Sequence, residues 1–288
     1  MTFKAYFACY PCLLRQTVEA VNFLQLGDIS TKEILQDSMR ILIDMDENLT
    51  SAEIAALIHQ NIIKKVGGAD PYAEAKKESL QRASAIYAYA KEIIVNSNDP
   101  LSTAIKICTA GNVIDFGPTA HYDLKATIQD VLERPFSRFD YEAFKIVLDK
   151  AEKILFLADN AGETIFDKLL IEEINKPLYY VVKKNPIMND ALEEDARNTR
   201  FPEYVQIMDN GTAIQGTVLK HCSKQFIEKY NKADMIISKG MGNFETLPEE
   251  GVRAFFLLKI KCKPIAELSG IPENSFVLKQ GGFCYLLR

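Results

Sequence analysis

Long apolar runs, paired histidines and glycine-rich nucleotide loops are all missing from this 288-residue chain. No stretch approaches the roughly 18 consecutive apolar residues that cross a bilayer, so no membrane partner is expected. The three histidines, His59, His121 and His221, form no two-histidine motif, which argues against a zinc hydrolase. There is no Gly-x-x-x-x-Gly-Lys-Ser/Thr loop and no Gly-x-Gly-x-x-Gly after a strand. Nucleotide-kinase and dinucleotide readings therefore lose their phosphate cradle. Basic excess is missing too: a net charge of −5 gives no footprint for a nucleic-acid backbone. Residues 1–6 show neither an apolar leader core nor a small-residue cleavage site, so a cytoplasmic location is expected.

The six cysteines, at 9, 12, 108, 222, 262 and 284, are too dispersed for a disulfide framework and read as reduced thiols. Only Cys9 and Cys12 form a local motif. Pro11 between them suits the first turn of a helix, where thiol pKa values tend to fall. Two cysteines do not complete a tetrahedral metal site, and no βαβ unit surrounds them. A structural pair, a redox-sensitive disulfide and half of an intersubunit site are the three readings of this motif.

What is present is an ordinary soluble composition, 48% hydrophobic and 25% charged, in a chain long enough for two domains. Residues 1–135 carry helical periodicity: Leu13, Leu14, Val18, Val21 and Leu24 recur at three- and four-residue spacing before Gly27. Capping boxes are expected at Ser30 to Glu33 and at Thr50 to Glu53. A long helix is predicted over about 72–96, and another after Asp99-Pro100. This half reads as a helical bundle.

Residues 136–288 alternate between apolar, β-rich runs and helical patterns. The runs are 154–158, 178–182, 204–208, 235–237, 255–260 and 276–278. Helices are predicted over 140–151, 163–174, 189–197, 212–231 and 246–253, with a last hairpin or edge strand over 283–287. Such alternation implies a parallel sheet covered by helices on both faces. The fold class is α/β: an N-terminal helical bundle packed on a three-layer α/β/α, Rossmann-like domain.

Three of these strands end in similar chemistry. The first runs into Asp159-Asn160-Ala161-Gly162-Glu163, the second is followed by Asn189-Asp190, and the fourth ends at Ser238-Lys239-Gly240-Met241-Gly242-Asn243. Ligands of open α/β sheets sit at the carboxyl ends of strands. Carboxylates and amides with retained waters describe a magnesium or manganese site, and a lysine beside it suits a phosphate. Taken singly, each segment is also an ordinary turn, and Asp159 and Asp190 also read as helix caps.

At these motifs the sequence resembles the damage-control phosphatases, metal-dependent enzymes formerly catalogued as domain of unknown function 89. The carrying segments are Cys9-x-x-Cys12, Gly111-Asn112-x-Ile114-Asp115-Phe116, Leu157 to Glu163, Pro186-x-x-Asn189-Asp190 and Ala233 to Glu245. The Cys-x-x-Cys motif is similar to the prokaryotic and archaeal branch. The resemblance implies one divalent cation (magnesium, manganese, cobalt or nickel) held by Asp159, Asn160 and Asp190. It implies hydrolysis of small phosphorylated metabolites, damaged or surplus. Lys239 would grip the phosphate, with Asn112, Asp115, Glu163, Asn243 and Glu245 lining the pocket. Asp159 would act either on a water or as the nucleophile itself. The rival readings are a non-catalytic metal- or phosphometabolite-binding protein and a methyltransferase, the latter lacking its glycine-rich loop. A homo-oligomer is left open.

Overall fold

The computed structural model describes residues 4–111, 123–247 and 250–282. Among the described residues, seven helices come first: α1 (Cys9–Leu24), α2 (Asp28–Asp44), α3 (Ser51–Lys65), α4 (Ala73–Ala85), α5 (Tyr87–Val95), α6 (Pro100–Gly111) and α7 (Leu124–Glu133). Strands and helices then alternate: β1 (Arg138–Phe139), α8 (Tyr141–Lys150), β2 (Ile154–Leu157), α9 (Thr164–Ile174), β3 (Leu178–Val182), α10 (Glu193–Thr199) and β4 (Val205–Asp209). The alternation continues through α11 (Lys224–Lys232), β5 (Met235–Lys239), α12 (Gly240–Thr246), β6 (Ala254–Lys259), α13 (Lys263–Ser269) and β7 (Phe276–Gln280). Among the described residues, no helix is long and apolar enough to cross a membrane.

The strands form one sheet in the order β1-β7-β6-β5-β2-β3-β4. All pairings are parallel except β6 with β7. Both faces are buried, as the unbroken apolar runs require. Ile154, Phe156, Tyr180, Ile237 and Phe255 point to one face, where Ile105, Phe144 and Phe166 of α6, α8 and α9 cover them. Leu155, Leu157, Val181, Ile236 and Phe256 point to the other, under Phe226, Phe244 and Ile265 of α11, α12 and α13. Each such side chain contributes about 1.5–3 kcal/mol by leaving water. A third core joins α1, α2 and α3 through Leu13, Val21, Ile34, Ile54, Ile58 and Ile62, and Met188 of the loop after β3 packs against it.

The α/β expectation and the helical first part are what the structure has. Several boundaries differ, each for a local reason. The predicted helix over 72–96 is two helices, because the Ile86 amide bonds to Ala83 in a tighter turn. The stretch before α11 is mostly turned, with one short 3-10 helix at Leu219–His221: Gly211 and Gly216 have φ of +84° and +68°, and Asn210 Oδ1 accepts from the Thr212 amide. Ser223 then caps α11. The helix expected over 246–253 lies earlier, as α12, starting directly after Lys239. The Thr50–Glu53 capping box forms, whereas Ser30 lies inside α2, which begins at Asp28. The short edge strand β1 carries too few residues for a periodic signal. Residues 283–287, where a last strand is expected, lie outside the described residues.

Candidate active site

The chain runs from β2 outward to β3 on one side and from β5 outward to β6 on the other. Neighbouring strands whose exits diverge leave a crevice at their carboxyl ends, the usual ligand position in this architecture. Asp159 and Asn160 follow β2, and Lys239 is the last residue of β5, so all three lie at this switch point. Asp190 is brought in from the next crossover. The Ala191 amide donates to Asp159 O at 2.8 Å and the Ala161 amide to Asn189 O at 2.9 Å, which sets Asn160 opposite Asp190 in an isolated antiparallel bridge. Residues 189–192, expected to be helical, supply this bridge because α10 starts only at Glu193.

Asp190 is 1% exposed, and neither of its carboxylate oxygens has a hydrogen-bond partner among the described residues. Lys183 Nζ stands 3.6 Å away and also donates to Gly216 O. Burial pushes the Asp190 carboxyl up to about 6, with Lys183 pulling the other way. Asp159 is partly exposed as a residue, but the protein packed around it raises its carboxyl well above the usual range. The charges of Glu163 and Asp190 add to that rise, and Lys261 and Lys239 oppose it. Acidic side chains thus gather at one point, and the Asp190 carboxylate among them makes no hydrogen bond to the described residues and only a long ion pair with Lys183. A hard cation with oxygen ligands and retained waters fits that donor set of two carboxylates and an amide. No group of three or more His, Cys, Asp or Glu side chains among the described residues forms a metal cluster of its own.

Lys239 is fully buried. Its Nζ donates to Glu163 Oε2 at 2.8 Å and to Asp167 Oδ1 at 2.6 Å. Burial alone would depress its pKa, but the charges of Asp167 and Glu163 hold it well above the usual lysine range. Asp167 also accepts from Tyr180 Oη at 2.7 Å and from Cys108 Sγ at 3.2 Å. Glu163 accepts from the Asn160 amide at 2.6 Å.

Asn243 spends its amide hydrogens inside the protein, on Ala158 O at 3.0 Å and Lys239 O at 2.8 Å, and accepts from Thr217 Oγ1 at 2.7 Å. It clamps the ends of β2 and β5 together. Glu245 accepts from Ser51 Oγ of α3 at 2.9 Å, and burial raises its carboxyl to about 7. Asn112 and Asp115 lie outside the described residues, just beyond the end of α6 at Gly111.

Gly240 sits where β5 turns into α12, at φ +75°, and a Cβ there would lie 1.9 Å from Asp159 Oδ2. Gly240→Ala therefore meets both left-handed backbone strain, roughly 1–2 kcal/mol, and a collision with the Asp159 carboxylate. The expected outcome is a lower melting temperature and a displaced Asp159, with Mn²⁺ binding lost in calorimetric titration. Unchanged Mn²⁺ affinity would show that Asp159 can move away without consequence.

The model of the damage-control phosphatase ARMT1-like domain matches residues 5–277. The chain belongs to this family. A protein of Methanocaldococcus jannaschii is 33% identical over 94% of this chain and 93% of its own length. The damage-control phosphatase PH1575 of Pyrococcus horikoshii is also 33% identical, over 97% of this chain and 99% of its own. The crystal structure of that DUF89 family protein superposes with a TM-score of 0.89, at 31% identity, covering 97% of this chain and 99% of the other.

In this member of the damage-control phosphatase family, three side chains that no motif singles out also stand around the crevice. Asp167 lies four residues after Glu163, one helical turn on, and that spacing could have exposed it. Lys183 directly follows β3, ahead of the Asn189-Asp190 pair. Lys261, two residues beyond β6, is exposed and close enough for its charge to act on Asp159. The five described cysteines are free thiols, and Arg15 donates to Cys12 Sγ at 3.5 Å.

Proposed function

We propose that this chain hydrolyses phosphate monoesters of small metabolites, damaged or surplus ones, in the cytoplasm and with one divalent cation. Asp159, Asn160 and Asp190 are the residues to hold that cation, with magnesium, manganese, cobalt and nickel as candidates. The observation that carries the reading is the Asp190 carboxylate, buried without a hydrogen bond opposite Asn160. Leaving a buried acceptor unsatisfied costs about 1–3 kcal/mol, more for a charged group, and a cation would offset that cost. Membership of the damage-control phosphatase family supports the same reading.

When bound, a divalent cation polarises phosphoryl oxygens and lowers the pKa of a water. The remaining work falls to side chains of this chain. Lys261, exposed beyond the carboxyl end of β6, neutralises charge that builds on the phosphoryl oxygens. Asp159, partly exposed, faces the reacting group, and Asn243 keeps the two strand ends that carry Asp159 and Lys239 in register. Glu245, Asn112 and Asp115 are assigned to metabolite binding on the family resemblance. Lys239 acts from behind the crevice, since both of its carboxylate partners are buried with it.

A panel of phosphomonoesters incubated with magnesium, manganese, cobalt or nickel tests the reading. Phosphate release is expected with the cation, is lost on chelation with EDTA and returns when the metal is restored. Binding without turnover across the panel would favour the non-catalytic alternative. Release indifferent to EDTA would remove the cation from the reaction.

A further inference from the structure

A buried chain of hydrogen bonds runs away from Asn160 into the core. The Asn160 amide nitrogen donates to Glu163 Oε1 at 2.6 Å and lies 3.4 Å from Asp159 Oδ2. Glu163 is held on its other oxygen by Lys239, Lys239 by Asp167, and Asp167 by the hydroxyl of Tyr180 on β3. Every member from Glu163 to Tyr180 is fully buried. Two carboxylate oxygens thus face one end of a primary amide. Only the NH₂ group can meet them favourably, since the reverse orientation would set three acceptor oxygens against one another.

We infer that Glu163, fixed by Lys239 and Asp167, is a positioning residue that locks the side-chain amide of Asn160 with its nitrogen inward, leaving its carbonyl oxygen for the cation. The inference rests on the proposed metal reading and deepens it. It gives Lys239 a task that suits its burial: an ammonium that neutralises Glu163 and Asp167 while keeping Glu163 in place. It also accounts for Asp167 on the same helical stripe as Glu163, four residues on. Partners behind a ligand fix its orientation, and losing one typically costs about 10- to 100-fold in metal affinity.

A double-mutant cycle read by calorimetric titration with Mn²⁺ tests this, using wild type, Glu163→Gln, Asn160→Asp and the double variant, each checked for folding by circular dichroism. Glutamine can turn its own NH₂ toward Asn160 and drive that amide to flip, so Glu163→Gln is expected to weaken Mn²⁺ binding by about 10- to 100-fold. A carboxylate at position 160 offers oxygen in either orientation. In the Asn160→Asp background, Glu163→Gln should therefore cause no loss. An equal loss in both backgrounds would overturn the inference, because Glu163 would then act through its charge or the fold. No loss in either background overturns it as well. A wild-type protein that takes up no Mn²⁺ would overturn the metal reading and this inference together, which keeps the two failures apart. Should Glu163→Gln not fold, Asp167→Asn replaces it in the same cycle, with the same background dependence expected.

Discussion

Asp159→Asn is expected to abolish phosphatase activity, by about a thousandfold or more, and at the same time to raise the melting temperature of the metal-free protein. The activity loss follows from removing one of two carboxylates assigned to the cation, which is asked to supply several kcal/mol of transition-state stabilisation. The stability gain follows from the electrostatics. Burial and the charges of Glu163 and Asp190 hold the Asp159 carboxyl well above its usual range. A carboxyl whose folded pKa is raised keeps its proton in the folded state after the unfolded chain has lost it. Unfolding stability therefore falls as pH rises through the window above the unfolded value, roughly pH 4. Asparagine carries no such cost. Melting curves in EDTA should put the variant above wild type at pH 7, with the gap closing toward pH 4. Wild-type turnover in the variant would remove Asp159 from the reaction. A lower metal-free melting temperature would mean that the fold already compensates its charge.

Lys239→Met should be the most destabilising single change near the site, by about 3–5 kcal/mol in urea unfolding at pH 7. The lysine is fully buried with two carboxylates on its ammonium, and methionine matches its length without its charge. Removing it leaves Glu163 and Asp167 buried side by side with no cation between them. Burial already raises the Asp167 carboxyl, and Lys239 is the main influence lowering it. Without the lysine that pKa climbs further, so the deficit should be smaller at pH 5 than at pH 8. Adding Asp167→Asn to Lys239→Met should recover part of the stability. A loss below about 1 kcal/mol that ignores pH would mean that the two carboxylates have found another donor.

Polar contacts between distant segments also join α3 to the α/β part. Ser51 at the start of α3 donates to Glu245 of α12, and Glu53 receives Lys220 at 2.7 Å and His221 at 2.9 Å. Those pairs explain why the capping box at Thr50 matters beyond its own helix. Glu53 satisfies the Thr50 amide with one oxygen and ties α3 to the α/β part with the other.

The local periods were legible in the chain itself. Unbroken apolar runs such as Ile154 to Leu157 announced strands buried on both faces, and the Thr50–Glu53 pair announced a helix start. Polar residues after those strands single out Asp159, Asn160, Asp190 and Lys239 as candidates, because ligands of open α/β sheets sit at the carboxyl ends of strands. Properties that depend on partners remote in sequence were not legible. Whether Lys239 reaches a ligand or a buried carboxylate is decided by α9 and the residue just before it, since Glu163 and Asp167 lie 76 and 72 residues away in sequence. Whether Asn243 lines a pocket or clamps two strands is decided by the register that brings Ala158 beside it. The Asp190 carboxylate stands opposite Asn160 without a hydrogen bond because the backbone of 189–191 pairs with that of 159–161 instead of coiling into a helix. Sequence periodicity determines which face of each strand and helix is apolar, as along Ile154 to Leu157. The charges and donors that each buried group meets are decided by tertiary packing, because a low-dielectric interior makes every such encounter count.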